Sequence, residues 1–247
     1  MNLQPNSQIE FRSASLRLMD LFLEYGYEHS VAAKNYAYCE RMQRWMFEFL
    51  FDQGLRPHHD FLDIGCGWLR LPYVMLPYLE AGRYHGIDSD QINLDIGLRW
   101  LKEAGIQPEP NLIVDREFAF DRFAKKFDIA FIHAVFTHLS HSQVENCLRS
   151  LQKVMKPGGV CYFTFYRSRK DWDGTSIYSI TGKESLSYEV SHLTLNYFRR
   201  LFRDMDVDWE YLGTKGHPTG HAVIKVSFTK PPSTLRRIFR SIRSRLK

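Results

Sequence analysis

The sequence lacks the features that mark several common classes of protein. It contains 4 cysteines in 247 residues, and no two of them form a C-x-x-C pair. This spacing disfavours a disulfide framework or a zinc ribbon and is typical of reduced thiols in a cytoplasmic protein. Near the N-terminus, Arg17, Asp20 and Glu24 interrupt the apolar stretch. We therefore expect neither a secretory signal peptide nor a helix of the roughly 20 apolar residues needed to span a membrane.

The sequence also lacks a large net charge and several common catalytic motifs. The formal net charge is +5, which allows an anionic partner but is no strong signal for nucleic-acid binding. The sequence has neither the G-K-[ST] of a P-loop nor a G-x-S-x-G nucleophile motif. His138 and His141 have the spacing of two metal ligands on a helix. No third ligand accompanies them, so we expect no metal site.

The most informative stretch is F-L-D-I-G-C-G-W-L-R, at residues 61–70. Its first four residues form a largely apolar run, which predicts a buried strand. Gly65 and Gly67 follow, and because glycine has no Cβ, they allow positive φ and let a ligand approach the backbone. A helix is predicted next, with Pro72 in its first turn. In open α/β sheets, a turn of this kind lies at the edge where ligands bind.

Strand and helix patterns alternate along the rest of the chain. This alternation predicts a doubly wound α/β fold, with a mostly parallel sheet and helices on both of its faces. Strands are predicted at about 60–64, 83–88, 111–115, 127–132, 160–165, 207–212 and 221–229, and helices at about 71–79, 90–104, 140–155 and 194–202.

Four motifs in sequence order resemble those of class I S-adenosylmethionine (SAM) dependent methyltransferases. They are D-I-G-C-G at 63–67, Y-H-G-I-D at 84–88, F-D-I-A-F-I-H-A-V-F-T-H-L at 127–139 and K-P-G-G at 156–159. The resemblance implies a seven-stranded sheet whose final strand is antiparallel. It also implies N-terminal helices, which either cover the ligand cleft or only pack on the sheet.

The chain is predicted to have three parts: a helical N-terminal cover at 1–54, with helices over 9–25 and 31–51, a SAM-binding domain at 55–230 and a basic tail at 231–247. Within the domain, residues 167–191 show no periodicity, which predicts a substrate loop or lid, or else a disordered linker. The tail combines 6 Arg and Lys residues with apolar residues at helical spacing. This pattern is typical of an element that binds a membrane surface or an acidic partner, or of a solvated terminus.

The resemblance implies SAM as the cofactor. Asp88, at the predicted end of the second strand, would accept hydrogen bonds from both ribose hydroxyls. Asp63 would contact the methionine end of SAM or orient the glycine turn, and Asp115 would lie near the adenine amine or in an exposed loop. The residues assigned to the cofactor site are Asp63, Gly65, Cys66, Gly67, Asp88, Ser89, Asp115 and His133.

Two histidines are candidates for a catalytic base. His133 lies at the predicted tip of the fourth strand, and His138 lies just before the next helix. SAM is already activated, so a base is needed only when the acceptor must lose a proton, as a hydroxyl does. Histidine suits that task near neutral pH. Either residue could instead only cap a helix or pack.

These observations predict a SAM-dependent methyltransferase that acts on a small molecule, a lipid or a sugar, at oxygen. No N-P-P-Y motif follows the fourth strand, which weighs against amino-group methylation of nucleic-acid bases or glutamine. Two alternatives stay open: a non-catalytic binding module with this fold, and an NAD-dependent oxidoreductase. The oxidoreductase is disfavoured because Arg70 stands where the G-x-G-x-x-G fingerprint has its third glycine.

Overall fold

The computed structural model describes residues 36–168, 174–180, 186–205 and 207–228, together with five helical positions, Arg17, Leu18, Asp20, Leu21 and Glu24. The basic tail and most of the predicted first helix lie outside the described residues. The roles of the tail and the three-part division of the chain therefore stay predictions. No helix within the described ranges is long and apolar enough to cross a membrane.

Nine strands are present among the described residues. They are β1 (Phe61–Ile64), β2 (Tyr84–Asp88), β3 (Asn111–Val114), β4 (Phe127–Ile132), β5 (Met155–Arg167), β6 (Gly174–Ile180), β7 (Leu186–Leu193), β8 (Asp208–Gly213) and β9 (Ala222–Ser227). Seven of them form the central sheet. Its first five strands are parallel in the order β3-β2-β1-β4-β5, and β9 and then β8 continue it with antiparallel pairing.

This arrangement confirms the predicted seven-stranded, mostly parallel sheet with an antiparallel final strand. The strand order reverses between β1 and β4, which lie side by side. In doubly wound folds, ligands bind in the crevice that opens at such a reversal, beyond the carboxyl ends of the strands.

The described helices follow the predicted pattern closely. They are α1 (Tyr36–Asp52), α2 (Arg70–Met75), α3 (Gln91–Glu103), α4 (His141–Val154) and α5 (Leu195–Met205). For α3 and α4, the first residue is set by a side chain that caps exposed backbone N–H groups. Asp90 accepts from the N–H of Ile92 ahead of α3, and Ser140 forms a capping box with Gln143 ahead of α4.

Helix α2 ends earlier than predicted. It stops at Met75, whereas the apolar pattern continues to about residue 79. Pro77 accounts for the difference, because its nitrogen carries no hydrogen and cannot donate to the carbonyl one turn earlier.

Two apolar cores lie on opposite faces of the sheet. Adjacent residues of a strand alternate between them: Phe131 packs in one core and Ile132 in the other, as the period of two in a strand requires. Helices α1, α2 and α3 contribute to the first core, and α4 and α5 to the second. Because β1 to β5 run parallel, their carboxyl ends share one edge of the sheet.

Residues 167–191 were predicted to be a loop or linker without secondary structure, and this prediction is wrong for the residues of the segment that are described. Strands β6 and β7 pair with each other in antiparallel register. The end of β5 pairs with β7 in parallel, through Tyr166 with His192 and Arg167 with Leu193. Backbone hydrogen bonds between the two strands stabilise this hairpin, so a weak hydrophobic period did not prevent strand formation. Residues 169–173 and 181–185 lie outside the described ranges, and the lid function stays a prediction.

Candidate cofactor site

The glycine turn joins β1 to α2 in a conformation that only glycine adopts without strain. Gly65 has φ of 71° and Gly67 has φ of 53°. The backbone nitrogens of Gly65 and Cys66 both donate to the carbonyl of Ile87, at 2.8 and 3.2 Å. A Cβ added at Gly65 would lie 2.2 Å from Cγ2 of Val135. Both the backbone angle and the close neighbour therefore exclude a side chain at Gly65.

Asp88 ties the glycine turn to the end of β2. One carboxylate oxygen accepts from the backbone N–H of Gly67 at 2.8 Å. The other accepts from the N–H of Asp90 at 3.0 Å and, more weakly, from the side-chain amide of Asn93 at 3.4 Å. A carboxylate has about four acceptor positions, so Asp88 keeps capacity for a hydroxyl donor. It can hold the turn and bind a ligand at the same time.

Asp63 is a buried carboxyl group beside this turn. It is 4% exposed and accepts a hydrogen bond from the hydroxyl of Tyr84 at 2.6 Å. Burial and, less strongly, the charge of Asp88 raise the pKa of Asp63, while the Tyr84 hydroxyl and Arg70 oppose the shift, and the net result is a pKa of about 7. Asp63 therefore changes its charge close to neutral pH, which its position in the motif did not reveal.

This raised pKa predicts a pH dependence of stability. The folded pKa of Asp63, about 7, exceeds the ordinary carboxyl value of about 3.9. The contribution of Asp63 is thus fully present below about pH 4 and is lost as the pH rises through 7, by roughly 4 kcal/mol at about 1.4 kcal/mol per unit. Asp63→Asn should remove this loss, so that urea unfolding at pH 5 and pH 8 gives more similar free energies than in the wild type.

Tyr84→Phe provides the complementary variant. It deletes the hydroxyl that lowers the pKa of Asp63, so the loss of stability should extend to higher pH. An Asp63→Asn variant with the full wild-type pH dependence would contradict the assignment.

Asp115 follows β3 and is partly buried, so it does not lie in an exposed loop, and its contact with the adenine amine stays a prediction. One of its oxygens accepts from the backbone N–H groups of Glu117 and Ala119, at 2.8 and 3.0 Å. The other lies 3.4 Å from the guanidinium of Arg122. Burial alone would raise the pKa of Asp115, but these hydrogen bonds and Arg122 outweigh it, and the pKa is lowered. Asp115 thus shapes its own loop while it also lines the cleft.

The structure brings every predicted site residue to one cleft of about 560 Å³. The cleft lies at the carboxyl ends of β1, β2 and β4, and Met46 of α1 contributes to its wall. Its volume is in the range typical of small-molecule sites. The predicted residues that line it are Asp63, Gly65, Cys66, Gly67, Asp88, Ser89, Asp115, His133 and His138.

Arg70, the first residue of α2, also lines this cleft. Its Nη1 atom is buried without a hydrogen-bond partner among the described residues, although its guanidinium lies 5.7 Å from the ring centre of Trp68. A buried, unpaired donor of a charged group is costly, so this position favours an anionic ligand. From the sequence, we used Arg70 only as evidence against a dinucleotide site. Its position directly after the glycine turn was the available signal that it could bind a ligand.

Two further histidines near the cleft were missed. His217 and His221 lie in the connection between β8 and β9 and are 5% and 4% exposed. Nε2 of His217 is 3.0 Å from Nε2 of His133. By contrast, His138 is exposed at the cleft. The described residues contain no group of three metal-binding side chains that could hold an ion.

Known proteins resemble this domain in sequence pattern and in fold. Residues 62–161 match the family model of a methyltransferase domain. A SAM-dependent methyltransferase from Clostridium acetobutylicum shares the fold with a TM-score of 0.60 at 13% identity, over 84% of this chain and 98% of its own. The glycopeptide N-methyltransferase MtfA, solved with S-adenosyl-L-homocysteine (SAH), gives 0.60 at 16% identity, over 77% and 90%.

A third structure extends the comparison. Magnesium protoporphyrin IX methyltransferase from Synechocystis, solved with bound SAM, gives a TM-score of 0.58 at 13% identity, over 87% of this chain and 96% of its own. The chain thus shares its fold with SAM-dependent methyltransferases, as its four motifs predicted. The predicted cofactor agrees with the SAM and SAH bound in these structures.

Proposed function

We propose that the protein transfers the methyl group of SAM to a hydroxyl oxygen of a small molecule, a lipid or a sugar. One observation carries this proposal. A single cleft holds a glycine turn without side chains, a strand-end carboxylate with spare acceptor capacity and an unpaired guanidinium nitrogen. These groups match, in chemistry, the different parts of SAM.

Each part of SAM has a complementary group in the cleft. Arg70 suits the carboxylate of the methionine portion, and ionised Asp63 suits its ammonium group. Asp88 suits the ribose hydroxyls, which donate hydrogen bonds. The backbone at Gly65 and Gly67 lets the ligand lie close to the turn. The match covers the amino-acid end of the molecule and its ribose.

The remaining cleft residues support a hydroxyl as the methyl acceptor. SAM supplies a methyl group on a sulfonium, whose carbon–sulfur bond breaks as the new carbon–oxygen bond forms. The chain must hold the acceptor oxygen in line with that bond and receive the hydroxyl proton. Two histidines, His133 and His138, line the cleft, and histidine suits a proton transfer near neutral pH. His138, which is exposed at the cleft, is the better candidate, because burial lowers the pKa of His133 well below its ordinary value. Similar structures include glycopeptide and magnesium protoporphyrin IX methyltransferases, so the fold accommodates varied acceptors.

Calorimetry with SAM, SAH and NAD tests the cofactor. Asp88→Ala should weaken SAM by about 1.5–3 kcal/mol, the scale of hydrogen bonds to a charged group. Asp90→Asn is the matched control, because Asp90 caps α3, where asparagine is an equally good cap. Binding of NAD without SAM would reject the proposal in favour of an oxidoreductase.

Incubation of the protein with labelled SAM and cell extract then tests catalysis. Transfer of label to an extractable small molecule, lipid or sugar, at oxygen, is the expected result. If SAM binds but no label leaves it under any condition, the chain is a binding module rather than an enzyme.

A further inference from the structure

The connection between β8 and β9 places a buried histidine, His217, beside the ring of His133. The rings of His217 and His221 stack with centres 4.3 Å apart, and the ring of His217 lies 5.2 Å from that of His133. Trp45 of α1 holds this connection in place. Its ring meets His217 edge-on at 4.4 Å, and its Nε1 donates to the carbonyl of Lys215 at 2.9 Å.

The hydrogen bonds of His217 determine where its proton lies. Its Nδ1 accepts from the backbone N–H of Thr219 at 3.2 Å and faces the N–H of His221 at 3.4 Å. A backbone N–H can only donate, so Nδ1 of His217 carries no proton. Neutral His217 therefore has its proton on Nε2.

The tautomer of His133 follows from that of His217. The two Nε2 atoms are 3.0 Å apart, so one of them donates and the other accepts. Since His217 supplies the proton, Nε2 of His133 is the acceptor, and neutral His133 carries its own proton on Nδ1. Within the described ranges Nδ1 of His133 forms no hydrogen bond, while the ring lines the cleft.

We propose that His217 is a positioning residue that holds His133 in the Nδ1–H tautomer, so that His133 offers the methyl acceptor a neutral hydrogen-bond donor. The identity of the acceptor as its partner rests on the proposed function. A ring with Nδ1 protonated and Nε2 occupied has no free lone pair with which to take a proton. In this arrangement His133 orients the acceptor oxygen, and His138 stays the candidate base.

The surroundings keep this pair of rings neutral. Burial lowers the pKa of His133 well below its ordinary value, and His217, Arg70 and His221 lower it further. Burial, with His221, lowers the pKa of His217 to about 3. Burial also lowers the pKa of His221 to about 4, helped by His138. None of these neighbours is a carboxylate that would stabilise an imidazolium, so the donor keeps its form across the neutral range.

Nuclear magnetic resonance of the full chain labelled with ¹⁵N-histidine shows directly which ring nitrogen of each histidine carries the proton. Long-range ¹H–¹⁵N correlations at pH 7.5 should show the proton of His217 on Nε2 and that of His133 on Nδ1. Neither ring should titrate between pH 5.5 and 8. A proton on Nε2 of His133, or titration of His133 near its ordinary pKa of about 6.5, would overturn the inference.

Three variants separate positioning from packing. His217→Phe keeps a ring in the stack but removes the donor, so His133 should gain an Nε2–H population. His221→Phe, the matched control, should leave the tautomer of His133 unchanged. His217→Gln should restore the Nδ1–H form, because its amide can both donate to His133 and accept from Thr219. Should His217→Phe fail to fold, the wild-type spectra and His217→Gln decide the question.

Labelled SAM assays on the same samples keep the two hypotheses distinct. The expected tautomers without any methyl transfer support the hydrogen-bond assignment and reject the proposed function. Methyl transfer with His133 in the Nε2–H form rejects the positioning role alone.

Discussion

Replacing Gly65 with alanine is expected to destabilise the protein by roughly 2–5 kcal/mol. Two costs combine. A residue with a Cβ at φ of 71° pays about 1–2 kcal/mol for the left-handed backbone, and overpacking adds about 1–3 kcal/mol. The second cost arises because the new Cβ would lie 2.2 Å from Cγ2 of Val135. Urea unfolding monitored by circular dichroism measures the total.

Gly105→Ala is the matched control for the backbone cost. Gly105 has φ of 67°, and a Cβ there would meet no atom within 4 Å. The difference between the two variants therefore isolates the contact with Val135. Adding Val135→Ala to Gly65→Ala should recover part of the lost stability, since it removes the clashing methyl group. Equal losses in Gly65→Ala and Gly105→Ala would show that the close approach carries no cost.

Arg70→Met is expected to weaken SAM binding by roughly 10–150-fold, which corresponds to about 1.5–3 kcal/mol for hydrogen bonds to a charged group. Methionine keeps much of the side-chain length and lacks the donors. Because Nη1 of Arg70 has no partner in the described part of the protein, the substitution should leave stability within about 1 kcal/mol of the wild type. Calorimetry and thermal unfolding on the same samples separate the two effects.

A ligand without the amino-acid portion makes this test specific. 5′-Methylthioadenosine lacks the carboxylate, so its affinity should be nearly the same for the wild type and for Arg70→Met. Arg116→Met serves as the matched protein control. Arg116 also lines the cleft, but its guanidinium already donates to the carbonyl of Ser89. An equal loss for both ligands would mean that Arg70 only supports the shape of the cleft.

Elements with a strong local signal could be predicted from the sequence. The strand at 127–132 was placed to the residue, because it is an apolar run between charged and polar segments. The helices after Asp90 and Ser140 were placed within about one residue, because their first turns carry capping side chains. The hairpin of β6 and β7 was not predicted, because its strands are defined by pairing with each other rather than by a strong hydrophobic period.

The cofactor side of the cleft was also visible in the sequence. Gly65, Gly67 and Asp88 belong to short motifs whose residue types follow from the conformation and hydrogen bonding that they need. Arg70 was visible but was given no role in binding, since that role depends on one buried guanidinium nitrogen, Nη1, that has no hydrogen-bond partner among the described residues. That absence is a property of the packed structure and leaves no local pattern.

The sequence by itself thus determined the order of the strands and helices outside the β6–β7 hairpin, the glycine turn and the carboxylate at the end of β2. These depend on backbone preferences and on hydrophobic periods of a few residues. Only the tertiary structure decided that Asp63 is buried enough to titrate near neutral pH. It alone brought His217, 84 residues after His133, within hydrogen-bond distance of that ring. Burial and long-range contacts arise when distant segments pack together, so the local sequence around the affected residues does not reveal them.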